Sequence, residues 1–151
     1  MILLRNIILL CITAAGLGGC GDDPPALSTI EMTIGNRIFQ LEIAANDANR
    51  QKGLMDRDSM PMSRGMIFVF ADEAPRAFWM KNTRIALDIL YLNRQGEVVD
   101  IKSMQPLDLR SIASAKPAKF AIELNYGAAQ NSGVKLGDRL SIPPAAAEPA
   151  N

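Results

Sequence analysis

Residues 66–70 read Met-Ile-Phe-Val-Phe, a continuous apolar run with the length of a β-strand. A strand that faces solvent on one side alternates apolar and polar residues, but this run contains no polar position. We therefore expect other elements of the chain to cover both of its faces.

Alternating patterns outside this run predict two β-hairpins. Residues 30–34 and 39–43 each alternate apolar and polar side chains, and Gly35-Asn36 between them suits a two-residue turn. A second hairpin is predicted over 87–102, with its loop at 93–96.

The remaining elements are short. Asn46 and Asp47 can cap a helix over 48–54, and a helical turn is predicted over 127–133. Further strands are predicted at 77–80, 120–124 and 140–142. Together these elements predict a β-rich α+β domain, a compact antiparallel, barrel-like sheet of short strands with two small helices.

The N-terminus has the layout of a bacterial secretion signal. Arg5 precedes an apolar run over 7–17, and Leu17-Gly18-Gly19-Cys20 matches the lipobox of bacterial lipoproteins. This resemblance implies a signal peptide over 1–19 and a lipid on Cys20. An ordinary signal peptide or an uncleaved anchor is the alternative, although the apolar run has only about half of the roughly 20 residues that a membrane span needs.

Lipidation would anchor the protein in the cell envelope, facing the periplasm. Residues 20–28 then form a tether, 29–142 a single domain, and the proline-rich residues 143–151 a disordered tail. Gly21, rather than an aspartate, follows Cys20. By resemblance to enterobacterial sorting, this favours the outer membrane over the inner one.

The charge balance excludes one large class of partners. The chain has 16 basic and 16 acidic residues, and removing 1–19 takes away only Arg5. A nearly neutral domain has no long-range attraction for nucleic acid, so no nucleic-acid partner is predicted.

Missing residue types exclude several chemistries. The chain has no histidine, Cys11 lies within the predicted signal, and Cys20 would carry the lipid. The folded domain therefore has no disulfide, no histidine-ligated zinc and no serine–histidine or cysteine–histidine nucleophile.

Several stretches together resemble the DUF192 family, a domain of unknown function. The most specific is the hexapeptide Phe78-Trp79-Met80-Lys81-Asn82-Thr83. The others are Gly53-Leu54-Met55 with Arg57, Gly65 followed by the apolar run, Leu87-Asp88-Ile89, Glu123-Leu124, Gly127 and Gly137-Asp138. The resemblance implies a small β-rich α+β fold and brings no established activity.

The hexapeptide is the best candidate for a ligand site. Trp79, the only tryptophan, is next to Lys81 and Asn82 in sequence, and together they could form an aromatic platform with hydrogen-bond donors for a sugar or a small anion. Asp88 and Arg57 are added as possible ligand contacts. Alternatively, Trp79 packs in the core and the polar residues form a turn.

Two further chemistries remain open. Asp88 and Glu123 each stand between apolar residues, and two such carboxylates could catalyse glycan hydrolysis if they face one cleft. Met60 and Met62 could bind Cu(I) through their thioethers, although methionine more often fills gaps in a core. No other metal site and no cofactor are predicted.

The sequence thus favours a lipid-anchored, non-enzymatic envelope domain. It would bind a small polar or carbohydrate ligand, or a partner protein, through the Trp79–Asp88 region. The carboxylate hydrolase and the copper-binding protein are the alternatives. The sequence pattern does not determine the oligomeric state.

Overall fold

The computed structural model describes residues 26–149. The predicted signal peptide, Cys20, residues 21–25 of the tether and residues 150–151 lie outside this range. Within it, no helix has the length and hydropathy to cross a membrane. The described elements are β1 (Thr29–Ile34), β2 (Arg37–Ala44), α1 (Asp47–Lys52), β3 (Arg64–Ala74), β4 (Ala77–Phe78), β5 (Leu87–Leu92), β6 (Val98–Met104), β7 (Ile112–Ala113), β8 (Ala118–Asn125) and α2 (Ala128–Ser132).

A six-stranded sheet forms the body of the domain, with strand order β1-β2-β3-β8-β5-β6, and β4 pairs with β7 in a separate two-stranded sheet. The predicted hairpins are β1–β2 and β5–β6, both antiparallel. Asn46 caps α1, because its side-chain oxygen accepts a hydrogen bond from the Asn49 N–H at 2.8 Å. The β-rich α+β class with two small helices is confirmed.

The sheet is less regular than the predicted antiparallel barrel. β2 and β3 are parallel, because the crossover through α1 brings the chain back to the same end of the sheet before β3 begins. The sheet is also open, since β1 and β6 lie at its two ends and do not pair with each other.

Apolar side chains are buried on both faces of this sheet, as the 66–70 run predicts. Ile67 and Val69 of β3 pack in one cluster with residues of α2, and this side is called the α2 face. Met66 and Phe68 point the other way and pack in a second cluster with Leu54, Met60 and Met80 from the loops, so this side is called the loop face.

The C-terminal segment differs from the sequence prediction. No strand forms over 140–142; Arg139 instead makes a single bridge to Glu97. The sequence predicts a disordered tail here, but Pro144–Ala146 forms a 3₁₀ turn in which Ala146 is fully buried. Glu148 forms an ion pair with Lys119, with 3.1 Å between Oε1 and Nζ. Burial of a small apolar side chain holds this segment on the domain despite its prolines.

Candidate functional site

A pocket of about 300 Å³ opens on the loop face of the sheet. One wall is aromatic and consists of Phe68, Phe70, Phe78 and Trp79. Residues 50–55, at the end of α1 and just beyond it, form the opposite wall, and Thr83 and Glu123 supply polar groups. Charged and polar side chains of α1 also border the pocket, so its surface is about half polar and half apolar. A concave site that combines aromatic rings with polar groups can hold a small molecule.

The first half of the hexapeptide builds the aromatic wall by alternation. Phe78 packs edge-on against Phe68, with ring centroids 4.9 Å apart, and Met80 is buried in the loop-face cluster. Trp79, between them in sequence, also borders the pocket and keeps 51% of its surface exposed. Of the two interpretations considered from sequence, the geometry therefore favours a platform at the pocket over a core residue.

The second half of the hexapeptide is a tight turn. Asn82 has a positive φ of 54°, a conformation that asparagine tolerates better than most residues, and its carbonyl accepts a hydrogen bond from the Asp56 N–H at 2.8 Å. The exposed Lys81 ammonium lies 5.2 Å from the centre of the Trp79 ring. Thr83 is buried, and its N–H closes the turn onto the Met80 carbonyl at 3.1 Å.

Glu123 is the most unusual residue of the pocket. It pairs with Met66 on β3 and with Ile89 on β5, so it lies at the centre of the loop face, and only 4% of its surface is exposed. Within residues 26–149, its carboxyl group has no hydrogen-bonding or ion-pairing partner, and it borders the pocket. Because burial penalises the charged form, the pKa of Glu123 rises from 4.5 to about 8.

Cations at the rim are already engaged. Arg50 donates from Nη1 to the carbonyl oxygens of Ala45 and Val69, both at 2.7 Å, and from Nη2 to Asp47 at 2.5 Å. Lys52 forms an ion pair with Asp56. These contacts hold Arg50 and Lys52 at the rim, and neither side chain pairs with Glu123.

Asp88 does not lie in this pocket. It pairs with Leu124 across β5 and β8 and points to the α2 face, the side opposite Glu123. There its carboxylate accepts hydrogen bonds from Ser103 Oγ at 2.9 Å and from the Ala129 N–H at 3.2 Å. Asp88 and Glu123 therefore do not face one cleft, and the paired-carboxylate geometry expected for a hydrolase is not formed.

Arg57 also lies outside the Trp79 pocket. Its two terminal nitrogens bind both carboxylate oxygens of Glu42, at 2.6 and 2.7 Å. This hydrogen-bonded pair raises the pKa of Arg57 and fixes the loop after α1 against β2. Arg57 borders a neighbouring pocket that also includes Leu27 and Arg64.

The two methionines proposed as copper ligands differ in burial. Met60 belongs to the buried loop-face cluster, whereas Met62 is 51% exposed. Among residues 26–149, no group of three or more aspartate, glutamate, cysteine or histidine side chains is arranged to hold a metal ion. The structure thus favours a packing role for Met60.

Comparison with known proteins identifies the family. The family model of DUF192, described as uncharacterized ACR, COG1430, matches residues 29–142. The chain belongs to DUF192. A relative in Pyrococcus furiosus, the UPF0127 protein PF1050, is 30% identical over 117 residues, which cover 74% of this chain and 94% of the relative.

Solved structures share the DUF192 domain's fold. A Sinorhizobium meliloti 1021 protein (R01717), described as a candidate transcription regulator, superposes with a TM-score of 0.73 at 30% identity, over 79% of this chain and 97% of its own. A protein of unknown function from Novosphingobium aromaticivorans gives a TM-score of 0.68 at 31% identity, over 76% of this chain and 84% of its own. The family resemblance seen in the sequence is therefore confirmed.

Sequence reasoning missed most of the pocket wall of this DUF192 domain. The sequence pattern places Phe68 and Phe70 only in a buried strand, and it marks Phe78 and Thr83 only as members of the hexapeptide. Part of this wall can be predicted, because Phe68 and Phe70 are two residues apart in a strand and must therefore share one face of β3. Their proximity to Trp79 depends on the loops and could not be read from that spacing.

Proposed function

We propose that this DUF192 domain binds a small polar ligand in the Trp79–Glu123 pocket. The observation that carries the proposal is Glu123, a buried residue whose carboxyl group has no partner within residues 26–149 and borders an aromatic-walled pocket. Among residues 26–149, no fully enclosed side-chain nitrogen or oxygen lacks a partner, so the Glu123 oxygens, which have none, must reach the pocket. A carboxyl group directed into a pocket without a protein partner points to a ligand. A ligand would supply the missing partner.

The polar groups and the aromatic wall support this function together. Trp79 offers a half-exposed ring, and Glu123 and Thr83 offer oxygen atoms inside the pocket. An aromatic platform with a few fixed polar groups suits a carbohydrate or another small polar molecule. A partner protein that inserts one side chain is a further candidate for the same contacts.

We further propose that the domain is held in the cell envelope by a lipid on Cys20. Support comes from the lipobox at 17–20, and the predicted location is the periplasmic side, at the outer membrane in preference to the inner one. The Sinorhizobium relative's description suggests a regulatory role. The near balance of acidic and basic residues gives this chain no long-range attraction for DNA, so we do not propose that role for it.

The raised pKa of Glu123 favours one second candidate, an enzyme in which this residue alone transfers a proton. The other acid at the pocket, Asp47, is 90% exposed and paired with Arg50. A single buried carboxyl group without a second catalytic group fits binding better than hydrolysis.

Tryptophan fluorescence tests the binding proposal, since Trp79 is the only indole in the chain. A panel of sugars, amines and small carboxylic acids is titrated into the full chain, and a saturable change in Trp79 emission is expected for at least one compound. Mass spectrometry of the recovered compound then separates binding from turnover.

Two variants control the experiment. Trp79→Ala should abolish binding, measured by calorimetry, while lowering the free energy of unfolding by about 1 kcal/mol or less, because the ring is half exposed. Phe68→Ala, in the buried part of the wall, should cost about 3–5 kcal/mol. If Trp79→Ala destabilises the domain as much as Phe68→Ala, Trp79 is a packing residue and the proposed site is wrong.

A further inference from the structure

The electrostatics of the pocket restrict its ligand. A buried carboxylate becomes stable only when a positive charge or several hydrogen-bond donors accompany it. Residues 26–149 provide neither for Glu123, whose carboxyl group borders the pocket. The missing charge can therefore come from the pocket's occupant.

The aromatic wall also favours a positive charge. The faces of aromatic rings carry negative potential and attract cations. Two rings of this wall already do so. Phe70 has the Arg76 guanidinium 4.0 Å and the Arg50 guanidinium 5.3 Å from its centroid, and the Lys81 ammonium lies 5.2 Å from that of Trp79. Trp79 is therefore the ring that a ligand cation can use. Lys81 is exposed and can move aside for a ligand.

Other ligand classes satisfy the pocket less well. An anion would meet Glu123 and would find Arg50 and Lys52 already committed to protein oxygens. A neutral sugar could stack on Trp79, but it brings no charge to pair with the Glu123 carboxylate. The volume of about 300 Å³ suits a small molecule.

We propose that the occupant is a small organic cation, either a quaternary ammonium compound or a protonated amine, whose charge pairs with the Glu123 carboxylate against the aromatic wall. This inference rests on the proposed binding function and names its ligand class. The free pocket holds Glu123 as the neutral acid. When the cation enters, the O–H bond of Glu123 breaks, the proton passes to solvent, and the carboxylate stays behind as the counter-ion.

No neighbouring titratable group among residues 26–149 can replace Glu123 as the counter-ion of the bound cation. Tyr91 shares the loop face, but its hydroxyl donates to the Ile112 carbonyl at 2.6 Å, and burial, with Glu123 and Asp100 nearby, raises the pKa of Tyr91. Asp47, Arg50 and Lys52 stand at the rim in ion pairs with protein groups. The affinity for a permanent cation should consequently fall by about tenfold for each pH unit below the pKa of Glu123.

The test compares choline with its neutral isostere 3,3-dimethyl-1-butanol, in which carbon replaces the ammonium nitrogen. The full chain is purified in a polyoxyethylene detergent, which carries neither sugar nor charge, and is titrated calorimetrically in phosphate, so that no amine buffer competes. Tetramethylammonium, butylamine, glucose and acetate complete the panel. A pH electrode in unbuffered solution at neutral pH measures the proton released.

Choline or another cation should bind saturably, release close to one proton, and bind at least tenfold more tightly than its neutral counterpart. Glu123→Gln should lose both the binding and the proton release, whereas Glu31→Gln, an exposed acid on β1, should keep them. The pH dependence of choline binding to the unaltered chain tests the same point without a variant.

Equal binding of choline and its isostere, or binding of glucose without proton release, overturns the cation proposal and leaves the pocket function standing. If no compound of the panel binds at millimolar concentrations, both the cation proposal and the proposed binding function are wrong.

Discussion

Glu123 and Asp88 show how one local pattern can have two physical outcomes. Each is an acid between two apolar residues of a buried strand. Asp88 faces α2, where a backbone N–H and a serine hydroxyl satisfy its carboxylate. Glu123 faces the pocket and the Phe68 side of the loop-face cluster, where no side chain of residues 26–149 donates a hydrogen bond to it, and burial favours its protonated form. The element that packs over each strand therefore decides whether the carboxyl group finds hydrogen-bond donors in the protein.

Replacing Glu123 with Gln should change how stability depends on pH. The folded domain holds the Glu123 proton up to about pH 8, whereas the unfolded chain loses it above about 4.5. In this window the folded state binds more protons, so stability falls as pH rises, by up to about 1.4 kcal/mol per pH unit. Glu123→Gln removes this decline and should raise the melting temperature at pH 8 but hardly at pH 4.

Thermal unfolding followed by circular dichroism from pH 4 to 8 measures this effect. Glu31→Gln is the control, because its exposed carboxyl should give a curve parallel to that of the unaltered chain. If the curve of Glu123→Gln is also parallel, Glu123 ionises normally in the folded domain and the electrostatic account of the pocket fails.

At the scale of elements, the sequence predicts structure between neighbouring residues better than it predicts pairing between distant strands. Alternating residues and turn residues correctly predict both hairpins, and Asn46 correctly predicts where α1 begins. The parallel β2–β3 pair and the position of β8 between β3 and β5 were missed, because both depend on residues far apart in sequence. The same limit hid the separation of Asp88 from Glu123, since residue spacing does not tell which face each strand presents.

The β3–β8 pair supports Glu123 and should tolerate no side chain at Gly65. A Cβ atom there would lie 2.3 Å from the Glu123 carbonyl oxygen and 2.7 Å from Leu124 Cδ2. Gly65→Ala should therefore cost roughly 3 kcal/mol or more in the free energy of unfolding, because the strands must separate to relieve the clash.

Gly137→Ala is the matched control for this prediction. Apart from its two chain neighbours, no residue in the described range has a heavy atom within 4 Å of the added Cβ. The positive φ of 88° therefore opposes the change, at a cost of about 1–2 kcal/mol. Chemical denaturation compares the two variants. Equal costs would mean that the two strands are not held as closely as the structure has them.

For the whole molecule, the ordered N-terminal segment and the pocket lie on the same side. Leu27 packs against the loop-face cluster, and Ser28 accepts a backbone hydrogen bond from Ile43 at 2.9 Å. The neighbouring pocket lined by Ala26 and Leu27 shares Lys52, Gly53 and Met55 with the Trp79 pocket. If Cys20 carries a lipid, the anchor joins the domain on the side that carries the Trp79 pocket.

This arrangement depends on the anchor, which the Cys20→Ala variant tests. Without the thiol, no thioether to lipid can form, so the variant should lose its acyl chains and that route of processing, whereas the unaltered chain should fractionate with the membrane. Mass spectrometry of the N-terminal peptide reads the modification directly. A multiply acylated N-terminus anchors firmly and a single chain only marginally, so salt washing should not release the unaltered protein. Recovery of an unmodified, soluble chain that begins at another residue would show that Cys20 carries no lipid.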